Sequence, residues 1–135
     1  MLRLTEDVWR QMVAHAYDGL PDEACGLVAG APRSDLVDRF YPCRNAAASS
    51  RVYTVDPGDH LRADRDAEGT GREIVGVVHS HTHSEAYPSP TDVAQAPDPA
   101  WHYLIVSLKR SSAVLRSYRI VDGTVSEEAV GLDAR

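Results

Sequence analysis

The stretch IVGVVHSHTHSEAYPSPTD, residues 74–92, decides how this chain is read. Ile74 to Val78 is apolar apart from the compact Gly76, long enough for a central strand and too short for a comfortable globular helix. It runs directly into His79, Ser80 and His81. Side chains alternate along a strand with a period of two, so the imidazoles of His79 and His81 point to one side and can share a metal ion. Ser89 and Pro90 read as the cap and first position of a brief helix, which places Asp92 near its N-terminal end; Pro97 and Pro99 stop any long continuation. The YPSP segment turns the chain so that the Asp92 carboxylate supplies a third ligand. Two imidazoles, one carboxylate and an open fourth position suit one catalytic Zn2+ ion, which lowers the pKa of bound water toward roughly 7. The same donors accept other divalent metals.

Working outward, Leu4, Val8, Met12 and Ala16 recur at four-residue steps, with Trp9 and Val13 widening the stripe, and predict an amphipathic helix from Thr5 to about Tyr17. Thr5 caps its start, and Glu6 and Asp7 favour its positive end. Cys25 to Gly30 reads as a buried strand, Leu36 to Cys43 as a second, and RVYTV, residues 51–55, as a third. Asp56 and Pro57 open a short, exposed helix that ends before Gly69 and Gly71. Beyond the histidines, Tyr103 to Leu108 and Ala113 to Ile120 predict strands of an antiparallel meander, with a turn at Asp122 and Gly123 before a terminal strand. The pattern is that of one α/β domain over residues 1–135, with one mixed sheet packed by at least two helices.

Composition agrees. The chain has 135 residues, is 43% hydrophobic and 25% charged, and matches an ordinary soluble globule. A formal net charge of -6 argues against a whole-domain footprint for nucleic acid or anionic lipid, so neither nucleic acid nor membrane is an expected partner. Cys25 and Cys43 are too few for a disulfide framework or a four-cysteine zinc module, with one optional bridge left open. The start, MLRLTEDVWR, lacks the apolar core of a signal peptide, and a cytoplasmic location is expected. Six histidines remain, three of them within five residues, and composition does not account for that cluster.

The order Glu23, then His79-Ser80-His81, seven residues, Ser89, two residues and Asp92 resembles the JAMM, or MPN-plus, metalloprotease family, and the order of predicted elements follows that family over nearly the whole chain. The resemblance implies a JAMM/MPN-like mixed sheet flanked by helices, of cytidine-deaminase-like architecture. It implies zinc held by His79, His81 and Asp92, water activation by Glu23, and oxyanion stabilisation by Ser89. The text EACGL and HSHTHSEAYPSPTD is especially similar to actinobacterial members paired with a small ubiquitin-like sulfur-carrier protein. Those relatives release cysteine from the carrier's C-terminal glycine, so the implied partner is a carrier ending in glycine-cysteine. Thr82 stands where the family often has proline.

Other readings stand beside these. The enzyme is also compatible with isopeptide hydrolysis on ubiquitin-like conjugates, and the metal site with a non-catalytic MPN-like interaction module. Ser89 serves equally as a helix cap. His83 reads as an exposed loop residue, and Cys25 and Cys43 as buried thiols. Trp9, Trp101 and Tyr103 read as core or half-buried packing, and His15, His60 and His102 take no site role. A leaving amino acid with a free α-carboxylate calls for an arginine, with Arg44, Arg51 and other arginines all open.

Overall fold

The computed structural model describes residues 1–133, beginning with strand β1 (Leu2–Thr5) and helix α1 (Glu6–Asp18). Thr5 caps α1, its hydroxyl accepting from the Val8 N–H, and Val8, Met12 and Ala16 form the buried stripe that the spacing predicts. Leu4, assigned above to that stripe, lies instead in β1. Strands β2 (Cys25–Gly30), β3 (Leu36–Val37) and β4 (Arg39–Cys43) follow, then α2 (Pro57–Gly69), capped by Asp56 and buried only through Ala63 and Ala67. Strand β5 (Glu73–His81) leads through α3 (Pro90–Ala94) to β6 (His102–Ser107), β7 (Val114–Val121), β8 (Thr124–Glu128) and β9 (Val130–Asp133).

Two sheets form, where the sequence predicted one. The larger has the order β4-β2-β5-β6-β7-β8, with β5 and β6 parallel, the other pairs antiparallel, and β6-β7-β8 the expected meander. The smaller has the order β3-β1-β9, both pairs parallel. The run from Leu36 to Cys43 is divided at Asp38, whose carboxylate is held by Arg72 and whose N–H donates to the Ala29 carbonyl. Its first part joins β1 and its second part β2, so one extended segment serves both sheets. Leu2, Leu4 and Val37 of the small sheet pack with α1, Val78 and Leu104 in one apolar cluster. On the opposite side Leu27, Val77 and Ile105 pack with Ala63 of α2 in a second.

The predicted strand at residues 51–55 is absent apart from a single bridge between Asn45 and Val55. Side chains have taken the groups a ladder would use: Asn45 accepts from the Thr54 N–H and donates to the Val52 carbonyl, while the Ser49 hydroxyl accepts from the N–H groups of Arg51 and Val52. Gly76 lies at the centre of β5 because a Cβ there would stand 2.3 Å from the His102 carbonyl oxygen on β6. Among the described residues no helix is long and apolar enough to cross a membrane.

Candidate metal and peptidase site

The site lies at the carboxyl end of β5, between antiparallel β2 and parallel β6. Strand alternation sends Val77 toward the α2 side, and His79 and His81 follow it, while Ser80 turns the other way. All three are buried, at 3%, 1% and 4% exposure for His79, Ser80 and His81. Ser80 is a fastener: its Oγ accepts from the Ala24 N–H at 2.8 Å and its own N–H donates to the Ala24 carbonyl at 2.9 Å. The residue after Glu23 is thereby locked to the middle of the His-Ser-His motif.

Helix α3 supplies Asp92 through a capping box. The Asp92 N–H donates to Ser89 Oγ at 3.0 Å, and the Ser89 N–H donates to Asp92 Oδ2 at 2.9 Å. The Ser89 hydroxyl accepts the cap bond and still has its own proton to donate, so capping does not exclude a role toward a developing oxyanion. Asp92 Oδ2 lies 3.1 Å from Nε2 of both His79 and His81, and the two Nε2 atoms are 3.1 Å apart. His81 Nδ1 is 2.8 Å from the Glu85 carbonyl, a pure acceptor, which fixes the proton on Nδ1 and leaves the Nε2 lone pair for the site.

This triangle of donors fits a small divalent cation. Ligands about 2.0–2.1 Å from a tetrahedral ion are roughly 3.3 Å from one another, close to the observed edges. Burial works against ionisation here, yet the contacts with His79 and His81 and the hydrogen bond from the Ser89 backbone hold the Asp92 carboxyl far below its usual range. Burial pushes His79 toward its neutral form, the form that ligates. Burial also pulls His81 down, but contacts with Asp92, the Glu85 carbonyl and the Glu23 charge outweigh it and raise its pKa. Tyr53 stacks on His79 with ring centroids 4.2 Å apart and also lines a separate, mostly apolar cavity of about 240 Å³ beside Leu27, Val77 and Trp101.

Glu23 lines a groove of about 540 Å³ together with His81 and Ser89, and with Arg51, Thr82 and His83. Its side chain is buried, and Oε1 has no hydrogen-bond partner among the described residues. Burial, opposed by attraction to His81 and reinforced by the Asp92 charge, pushes its carboxyl up to about 7. A carboxyl near neutrality with an unpartnered oxygen, on a residue that lines a polar groove, has the properties of a general acid-base. The backbone of Glu23 is held by the loop opposite: its N–H donates to the Ser49 carbonyl at 2.8 Å, and Asn45 Nδ2 donates to its carbonyl at 3.0 Å.

The structure thus brings together His79, His81, Ser89, Asp92 and Glu23. His83 is exposed on the groove rim. Arg44 is drawn away by Asp56 and Asp59, whereas Arg51 stands in the groove. Cys25 and Cys43 are buried, unbridged register partners whose thiols burial pushes up to about 12 and about 11, so neither is a nucleophile at neutral pH. Asn45, Ser49, Tyr53 and Ser80 were not foreseen. Only Ser80, enclosed by the two histidines, carried a local signal.

Residues 5–121 match the family described as prokaryotic homologs of the JAB domain. The CysO-cysteine peptidases of Mycobacterium bovis and Mycobacterium tuberculosis are each 45% identical to the chain over 133 residues, covering 98% of it and 91% of theirs. The desampylase of Haloferax volcanii is 36% identical over 111 residues, 78% of this chain and 80% of its own. Among solved structures, a protein from Desulfitobacterium hafniense superposes with a TM-score of 0.92 at 37% identity, over 100% of this chain and 94% of that one.

Proposed function

The chain belongs to the prokaryotic JAB branch of the JAMM/MPN family and is a peptidase, and we propose that it uses one zinc ion to hydrolyse the peptide bond after the C-terminal glycine of a small ubiquitin-like sulfur-carrier protein, releasing cysteine. The observation that carries this reading is the convergence of three buried donor atoms within 3.1 Å of one another, alongside a buried carboxyl with an unpartnered oxygen. His79, His81 and Asp92 hold the ion. Bound there, zinc supplies Lewis acidity, which polarises the scissile carbonyl and acidifies water.

The chain's own residues do the rest. Glu23 takes a proton from the attacking water and returns it to the departing amine, a double role served by a carboxyl whose pKa lies close to neutrality. Ser89 Oγ, with its lone pair engaged by the Asp92 N–H, donates its proton to the oxygen that becomes negative in the tetrahedral intermediate. The Glu85 carbonyl keeps His81 in the ligating tautomer, and Tyr53 covers the face of His79 against water. No covalent intermediate on the protein is needed. We place this activity in one domain spanning residues 1–135, working in the cytoplasm.

Metal analysis of the purified protein and the mass of a carrier ending in glycine-cysteine, before and after incubation, test the proposal. The expected result is about one zinc per chain and loss of one cysteine by wild type but not by Glu23→Gln. Activity that persists after complete chelation overturns the mechanism. Similarity to a desampylase favours a second reading, isopeptide hydrolysis on a ubiquitin-like conjugate. Cleavage of lysine-linked conjugates with the glycine-cysteine bond left intact selects it.

A further inference from the structure

The groove carries one cation that neither the metal site nor the acid-base chemistry uses. Most arginines of the described chain are committed to carboxylates: Arg44 to Asp56 and Asp59, Arg72 to Asp38, Arg110 to Glu85. Arg51 has no carboxylate partner among the described residues, yet this exposed residue lines the groove with Glu23, His81 and Ser89. Arg33, Arg65 and Arg119 also lack carboxylate ion pairs but are not part of this groove, and Arg119 donates to the Pro99 and Ala100 carbonyls. Glu85, the acidic residue nearest to His83 in sequence, is occupied by Arg110 and Lys109 and so does not offset the charge of Arg51.

The backbone at Arg51 is tied from both sides. Toward Glu23, Ser49 Oγ accepts from the Arg51 N–H at 3.0 Å while the Ser49 carbonyl accepts from the Glu23 N–H at 2.8 Å, and Asn45 Nδ2 donates to the carbonyls of Glu23 and Val52. Toward the metal ligands, Thr82 Oγ1 donates to the Ser50 carbonyl at 3.3 Å. That hydroxyl exists because Thr82 occupies the position after His81, and a proline there would leave the Ser50 carbonyl without it. The residue that departs from the family's usual text is thus the one that fastens the Arg51 loop to the motif.

We propose that Arg51 reads the free α-carboxylate of the leaving amino acid, and so makes the site specific for removal of a single C-terminal residue. This rests on the function proposed above and names the feature that selects glycine-cysteine over an isopeptide. The amine that Glu23 protonates is separated from its own α-carboxylate by one carbon, so a receptor for that carboxylate belongs in the same groove as Glu23. In an isopeptide the leaving nitrogen is a lysine Nζ, four methylenes from an α-carbon whose carboxyl is normally locked in a peptide bond. Guanidinium binds carboxylate through paired, charge-assisted hydrogen bonds and gains nothing comparable from an amide.

The test uses a small ubiquitin-like carrier protein ending in glycine and extended by one C-terminal cysteine, prepared as the free acid and as the carboxamide. Wild type is expected to cleave the acid with a kcat/KM about tenfold or more above the amide. Arg51→Gln should lower the acid rate by that factor and leave the amide rate unchanged, with Arg51→Lys recovering part of the loss. Equal rates on acid and amide by wild type, or an equal fall on both in Arg51→Gln, overturn the assignment. A second readout does not need turnover: the Arg51 Nε–H resonance is followed while N-acetylglycyl-alanine or its carboxamide is added. A shift with the acid alone supports carboxylate reading even if wild type cleaves neither carrier form, an outcome that instead overturns the proposed function. No shift with either peptide overturns the role of Arg51.

Discussion

On one wall of the site His79, His81, Ser89 and Asp92 come from a single stretch of chain and are placed by strand alternation and a capping box; on the other, Glu23 and Arg51 come from irregular segments placed by hydrogen bonds with Asn45 and Ser49. The first wall inherits its geometry from backbone structure that forms for local reasons. The second exists only once distant segments meet, and its precision depends on a few polar side chains. Ligand binding and proton transfer are therefore separable properties of this fold, and substitutions on the two walls should fail differently.

Asp92→Ala removes a proposed metal ligand and half of the capping box, and is expected to lower turnover at least about a thousandfold together with metal content. Metal retention at wild-type stoichiometry would break the assignment of this wall. Glu23→Gln is expected to lower turnover about a thousandfold with metal content unchanged, and this contrast with Asp92→Ala is the sharpest form of the comparison.

The same carboxyl sets a pH dependence. Its folded pKa of about 7 lies above the ordinary value near 4.5, so ionisation works against folding: the cost enters as pH rises from about 4.5, is complete above about 7, and is absent in acid. Metal-free Glu23→Gln should consequently melt a few degrees above metal-free wild type at pH 8 and show no advantage at pH 4. In the loaded enzyme the acid limb of kcat/KM should lie at or below about pH 7, because a nearby cation favours the carboxylate, and thermal melts and rate profiles check both limbs.

Ser89→Ala tests the hydroxyl that works on both fronts. Loss of the cap costs about 1 kcal/mol, and loss of an oxyanion donor lowers kcat by about a hundredfold. Ser89→Gly, which recovers most of a lost cap, should regain stability without regaining rate; recovery of both would reduce Ser89 to a cap alone. Asn45→Ala leaves the backbone groups of Glu23, Val52 and Thr54 without partners and is expected to cost about 2–3 kcal/mol of stability and about tenfold in rate, with metal content intact. A parallel loss of metal would show that the walls are coupled.

The same division decides what the sequence revealed. Helices α1 and α2 carry their own caps, strands β2 and β5 are short apolar runs, and all four were read close to their observed limits. The small sheet was missed because β1 spans only Leu2–Thr5 and pairs with residues far along the chain, leaving no local pattern. RVYTV has the composition of a strand, but Asn45 and Ser49 captured its backbone groups first. His79, His81 and Asp92 were legible because strand and helix geometry translate their spacing into direction. Glu23 was visible only through family resemblance, and Asn45 was hidden in a run of small residues whose composition marks a loop and nothing more.

That all three donors lie within residues 79–92 has a consequence for the chain before it folds. Two histidines one residue apart, with a carboxylate shortly beyond, chelate weakly even in a disordered peptide. If the proposed metal site is right, metal then binds the unfolded ensemble as well as the native one, and added ion should raise the melting temperature by less than native affinity alone implies. A nascent or thermally unfolded molecule need not release its ion completely, and can carry it back into the site as β5 and α3 re-form.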